Sequence, residues 1–146
     1  MNSMRPILLV EDNADDVELT RIAFSEAKIA NPLHVVGNGV EALDYLFGRG
    51  EYAGAEAREQ PSLVLLDLNM PRMDGREVLQ AIRADASTRS LPVVVMTTSG
   101  EPFDVEACYL LGANSYIRKP VDFGQFMWAV KQVGMYWLVL NQPREG

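Results

Sequence analysis

The chain has one cysteine, Cys108, and one histidine, His34, among 146 residues. A lone cysteine cannot close an internal disulfide and suits a reducing compartment. With a single histidine beside it, a structural zinc site lacks ligands. Positive charge is also scarce: 13 Lys and Arg stand against 20 Asp and Glu, a net charge of −7. That balance argues against nucleic acid or an anionic membrane as the main partner, because both require a basic face. Long apolar runs are missing too. The longest, Val133 to Leu140, is eight residues, against the roughly 20 that a membrane-spanning helix needs. The opening MNSMRPILLV is too short an apolar run for a signal peptide. These absences together point to a cytoplasmic protein without a membrane anchor.

What is present reads as one α/β domain. A hydrophobic fraction of 48% supports a sound core at this length. Short apolar runs alternate with helical patterns, as in βαβ units. The predicted strands are Ile7–Val10, Leu33–Val36, Leu63–Leu66, Val93–Met96 and Ser115–Ile117. Continuous Val, Ile and Leu in "ILLV", "LVLL" and "VVVM" indicate strands buried on both faces of a parallel sheet.

Helices follow from period and punctuation. Asn13 is a predicted N-cap ahead of Asp15 and Asp16, and Val40–Phe47 carries apolar residues at helical spacing. Further helices are expected after Gly75, from Pro102 to near Gly112, and from about Asp122 through Trp128 towards Leu140. The stretch Gly48 to Gln60, "GRGEYAGAEAREQ", is long for an αβ connection and reads as a surface excursion available to a partner or as a neutral insertion. The reading assigns all of 1–146 to one domain, with a core of about 5–134 and a C-terminal helical extension of about 135–146.

Ligands of parallel α/β sheets collect outside the carboxyl ends of the strands. There the first strand hands over Glu11 and Asp12, the third Asp67, the fourth Thr97 and the fifth Lys119. Any one of these residues alone has an ordinary explanation as a turn, cap or solvated residue. Their occurrence together on four strands does not. Clustered carboxylates repel unless a cation neutralises them, and all-oxygen donors with retained water favour Mg²⁺. Asp12 and Asp67 can coordinate directly, Asn69 through its backbone carbonyl, and Glu11 through a water. Asp67, at a strand end where it is exposed enough to react and rigid enough to be aimed, can be a nucleophile that forms an aspartyl-phosphate. Lys119 can neutralise phosphoryl oxygens and the Thr97 hydroxyl can hydrogen-bond one of them.

With Glu11-Asp12, "DLNMPRMDG" around Asp67, Thr97 and "YIRKP" around Lys119 in place, the sequence resembles the receiver domain of two-component response regulators. The motifs span nearly the whole chain in order. The resemblance implies a flavodoxin-like (βα)5 fold, a five-stranded parallel sheet in the order 2-1-3-4-5. It implies that Asp67 takes phosphate from a histidine kinase's phosphohistidine with Mg²⁺ and later loses it by hydrolysis. The chain is then a phosphoryl acceptor, with no enzymatic activity beyond its own phosphorylation and dephosphorylation. It also implies a cis Lys119-Pro120 bond and a switch pair, Thr97 and Tyr116. With little chain left after the fifth unit, the domain's own surface is the expected output. The excursion and the tail "MYWLVLNQP" resemble the small response regulators that partner cyanobacterial and other bacterial phytochromes.

In the last helix, Phe123, Phe126, Met127, Val130 and Trp137 are expected to cover the domain's own core. Trp128, Met135, Leu138, Val139 and Leu140 are left without an obvious internal partner. Apolar residues on more than one face of a surface helix suggest an interface. The expectation is a homodimer through the fourth and fifth units and the tail, using Trp128, Met135, Tyr136, Trp137, Leu138 and Leu140. His34 and Cys108 read as structural residues. Two other readings remain. A receiver-like adaptor would bind partners without phosphorylation. An aspartate-nucleophile phosphohydrolase would want a second Asp two residues after Asp67, where this chain has Asn69. A Rossmann-type nucleotide site is excluded because "VEDNAD" contains no glycine.

Overall fold

Runs of branched apolar residues make strands wherever both faces of a sheet are to be covered, and the computed structural model has five of them. It describes residues 5–54, 60–70 and 72–141. Residues 1–4, Pro71, 55–59 of the excursion and 142–146 of the tail lie outside the described residues. The elements in chain order begin β1 (Ile7–Val10), α1 (Ala14–Glu26), β2 (Leu33–Val36) and α2 (Gly39–Phe47). A 3₁₀ turn (Gly50–Tyr52), β3 (Leu63–Leu66) and α3 (Gly75–Ala84) follow. The remainder is β4 (Val93–Thr97), α4 (Pro102–Leu110), β5 (Ser115–Arg118), α5 (Phe123–Met135) and a π-helical turn (Tyr136–Leu140). β4 and β5 each run one residue beyond the expected end, because the ladder Met96↔Ile117 continues to Thr97↔Arg118.

The sheet is parallel in the order β2-β1-β3-β4-β5. Side chains alternate across it with period two. Leu8, Val10, Val64, Leu66, Val93 and Val95 pack under α2, α3 and α4. Their neighbours Ile7, Leu9, Leu63, Leu65, Val94 and Met96 pack under α1 and α5. The register pairs Val10 with Val36 and with Leu66, so the residues after these strands leave the sheet along one edge. The strand order reverses between β1 and β3, which opens the crevice there.

Local signals set the helix starts. Asn13 caps α1 by accepting from the Asp16 N–H at 2.9 Å. Asp74 and Glu77 form a capping box at α3. Gly75 lies so close to the end of β3 that a Cβ there would stand 2.6 Å from the Asp67 carbonyl oxygen. The excursion begins by folding back onto the domain: the Tyr52 hydroxyl hydrogen-bonds His34 Nε2 at 2.8 Å, and His34 stacks on Tyr45.

Four expectations are corrected. The Lys119-Pro120 bond is trans, and no cis peptide occurs among the described residues. Trans is the lower-energy isomer of X–Pro bonds, and the Lys119 N–H reaches the Thr97 carbonyl at 2.6 Å in this arrangement. The last helix is not α-helical to Leu140, since α5 stops at Met135 and the next five residues widen into a π-turn closed by Asn141 N–H on the Tyr136 carbonyl. Phe123 does not cover the core. It is 68% exposed, because it directly follows the cap Asp122. Leu138, expected to be unpartnered, packs with Trp137 against the α1–α5 side of the core. That packing is close because α5 approaches α1 at Gly134, where a Cβ would run into Ile29 and Phe24.

Candidate functional site

β1, β3, β4 and β5 each end at the same edge, and each contributes one part of the site. The Glu11 N–H continues the ladder onto the Val36 carbonyl, and the Asp67 N–H does so onto the Val10 carbonyl. Both side chains are thereby held at sheet-like rigidity. Glu11 and Asp67 are buried, Asp12 is exposed, and Thr97 is fully buried. One oxygen from each of Glu11, Asp12 and Asp67 can be chosen so that all three lie within 4.8 Å of one another.

Lys119 stands at the centre with its side chain 8% exposed. Its Nζ donates to Glu11 Oε1 at 2.7 Å, Asp16 Oδ2 at 2.8 Å and Asp67 Oδ2 at 3.4 Å. Burial alone would lower its pKa, but the hydrogen bonds to Asp16 and Glu11 and the carboxylate charges outweigh it and raise its pKa. Burial pushes Glu11 up to about 7, against the pull of Lys119 and with a contribution from Asp67. One ammonium thus faces three carboxylates, with Asp12 beside them, an imbalance that a cation would relieve.

Asp67 is further positioned by its own loop. Its Oδ1 accepts the Asn69 N–H at 3.2 Å, and Asn69 Nδ2 donates to Thr97 Oγ1 at 3.3 Å. The loop therefore bridges the carboxylate and the hydroxyl. On β5 the Tyr116 hydroxyl donates to the Ser99 carbonyl at 2.8 Å, and its ring packs against the core face under α4. Burial raises the Tyr116 pKa.

All the residues read from the strand ends lie in this one region. The sequence reading missed Asp16, which it assigned only to the first turn of α1. Its position one helical turn after Asp12 was the available signal. It also missed Arg76, which binds Asp74 at 3.0 Å and Asp104 at 2.5 Å. Of the residues assigned to an interface, Trp128 is 64% and Leu140 71% exposed, with Met135 and Tyr136 less so. Trp137 and Leu138 are half-buried and pack against the core. No helix among the described residues is long and apolar enough to cross a membrane.

Comparison with known proteins agrees with this geometry. The family model of the response regulator receiver domain matches residues 7–131. The response regulator Rcp1 of Synechocystis sp. is 37% identical over 137 residues, covering 94% of this chain and 91% of that protein. The crystal structure of the phosphorylated cyanobacterial phytochrome response regulator RcpA superposes with a TM-score of 0.91 at 38% identity, covering 98% of this chain and all of the other. The Mn(2+)-bound form of Rcp1 superposes with a TM-score of 0.89 at 35% identity, covering 97% of this chain and 99% of the other.

Proposed function

Since the chain belongs to the response regulator receiver family, we propose that Asp67 is its phosphoacceptor and that the donor is the phosphohistidine of a phytochrome-type sensor histidine kinase. The observation that carries this is the buried Asp67 carboxylate at a rigid strand end, 3.4 Å from the Lys119 ammonium. An Asp67 oxygen attacks phosphorus, the P–N bond of the phosphohistidine breaks, and the imidazole leaves with the electron pair. Lys119 neutralises the phosphoryl oxygens, and the buried Thr97 hydroxyl donates to one of them. Water later hydrolyses the acyl phosphate, and no other enzymatic activity is assigned.

The donor set fits a small hard dication. Its oxygens cluster within 4.8 Å, and a homologous chain has been solved with Mn²⁺. We assign Mg²⁺ as the physiological ion, held by Asp12, Asp67 and the Asn69 carbonyl, with Glu11 acting through a water. When bound, the ion supplies positive charge that screens Asp67 and the phosphoryl oxygens. Thr97 and Tyr116 are the switch: occupation of Asp67 draws the hydroxyl inward and holds the Tyr116 ring in. The unit acting in this way is the single domain 1–146, working in the cytoplasm.

The phytochrome assignment rests on the similarity to RcpA, a cyanobacterial phytochrome response regulator matched over more than nine-tenths of this chain. We assign the exposed apolar residues of α5 and the tail to a homodimer interface. Trp128→Glu with Leu140→Glu is then expected to give a monomer in analytical ultracentrifugation, and an unchanged dimer refutes that assignment. The phosphoacceptor reading is tested by intact mass after incubation with a small-molecule phosphodonor. A Mg²⁺-dependent phosphoryl adduct, absent from Asp67→Asn, is expected. No adduct on folded protein, with a donor active on another receiver, leaves the phosphorylation-independent adaptor.

A further inference from the structure

Tyr116 is held inward by a carbonyl, and a carbonyl is only as well placed as its loop. That carbonyl belongs to Ser99, in the connection between β4 and α4. The Ser99 hydroxyl donates to Asp104 Oδ2 at 2.6 Å and accepts the Glu101 N–H at 3.3 Å. The second oxygen of Asp104 accepts from Arg76 at 2.5 Å. The other arm of the same guanidinium binds Asp74, which caps α3. α3 in turn begins at Gly75, pressed against the Asp67 backbone. A continuous chain of contacts therefore runs from the strand end that carries Asp67 to the hydroxyl of Tyr116.

We infer that Arg76 and Asp104 are positioning residues for Tyr116, tying the α4 start and the Ser99 carbonyl to the loop that carries the phosphoacceptor. This rests on the reading of Thr97 and Tyr116 as a switch. An exposed ion pair would contribute little. Here the Arg76 and Asp104 side chains are only 29% and 21% exposed, and one planar guanidinium spans the carboxylates of the α3 cap Asp74 and of Asp104 on α4. A lysine could not span both in that fork geometry. The hydrogen bonds from Ser99 and from Arg76 also hold the Asp104 carboxyl below its ordinary pKa, so it stays charged. Neither residue touches the reacting atoms. Their effect is on the population of the inward ring.

The test is fluorine NMR of protein labelled with 3-fluorotyrosine, with the Tyr116 resonance identified by its loss in Tyr116→Phe. Arg76→Ala, Asp104→Asn and Ser99→Ala are each expected to shift the inward-to-outward ratio at least threefold towards outward. The Arg76→Ala/Asp104→Asn double variant should shift it no further than either single one, and Ser99→Thr, which keeps the hydroxyl, should leave it in place. An unmoved Tyr116 resonance in variants that melt like wild type overturns the inference. Additive shifts in the double variant overturn it as well. Phosphoryl uptake measured on the same samples keeps the two claims apart. Wild type that takes up no phosphoryl group refutes the acceptor reading, while the ring shift still reports on the Arg76–Asp104 chain.

Discussion

Two cations sit at opposite ends of this sheet, Lys119 with a buried side chain and Arg83 half-buried, and they are satisfied in opposite ways. Lys119, at the carboxyl end of the strands, is surrounded by carboxylates. Arg83, at the other end, donates to three backbone carbonyls, those of Gly112, Arg89 and Leu91, and to the Asn114 side-chain oxygen. Asn114 Oδ1 also accepts the Val93 N–H. Arg83 thus clasps the loop before β4 to the loop before β5 using neutral acceptors alone, and burial lowers its pKa. Lys119 has its pKa raised by charged partners that outnumber it. A neutral, fully matched cage closes a structure. A charge-imbalanced cluster is left responsive to whatever cation or phosphoryl group arrives.

The sharpest way to break this contrast is to remove each cation in turn. Lys119→Ala is expected to slow phosphoryl uptake by about 10²–10³-fold, the scale of losing one charge-stabilising group. Its melting temperature in Mg²⁺ should stay near that of wild type. Arg83→Ala should do the reverse, costing about 1–2 kcal/mol by urea unfolding because three carbonyls, two of them part-buried, lose their donor. Its uptake per folded molecule should be unchanged. Equal losses of uptake in both variants would erase the distinction.

A smaller effect sharpens it. The folded-state pKa of Glu11, about 7, lies above its ordinary value of 4.5. The folded state therefore binds more protons than the unfolded one between these values, and metal-free stability falls as pH rises across that window. Burial lowers the pKa of His34, which makes stability rise with pH near its ordinary 6.5. The difference between wild type and Glu11→Gln isolates the carboxyl. Wild type should lose roughly 1–2 kcal/mol more than Glu11→Gln from pH 5 to pH 7. Mg²⁺ should restore most of that loss at pH 7 and little at pH 5. A wild type that gains stability relative to Glu11→Gln over the window would show that Glu11 is not strained by burial.

The strands were legible because a strand covered on both faces has to be apolar at every position, and ILLV, LVLL and VVVM leave little choice. The site was legible for the same reason: in a parallel sheet, the first polar residue after each such run leaves from a known edge. Glu11, Asp67 and Thr97 needed no further information to be brought together, whereas Lys119 comes after Arg118 in "YIRKP" and was placed by the end of the fifth strand. Asp16 was not seen because helical residues carry no comparable edge signal, and an acid in a first turn is already explained by the helix dipole. Arg76 and Asp104 are 28 positions apart, and no local period links them. The tail was misjudged at Phe123 and Leu138, where an apolar residue's face depends on where one helix stops and the next turn widens. The Lys119-Pro120 expectation came from resemblance, and the bond is trans here.

Four carboxylates lie around Lys119 or beside it, and the central claim is that Asp67 alone among them accepts phosphate. Borohydride reduction of the phosphorylated protein, followed by peptide mass mapping, converts the acyl-phosphate side chain to an alcohol with loss of phosphate and so locates it. The account predicts the reduced residue at position 67 and nowhere else. Reduction at Glu11, Asp12 or Asp16, with Asp67 untouched, would contradict it.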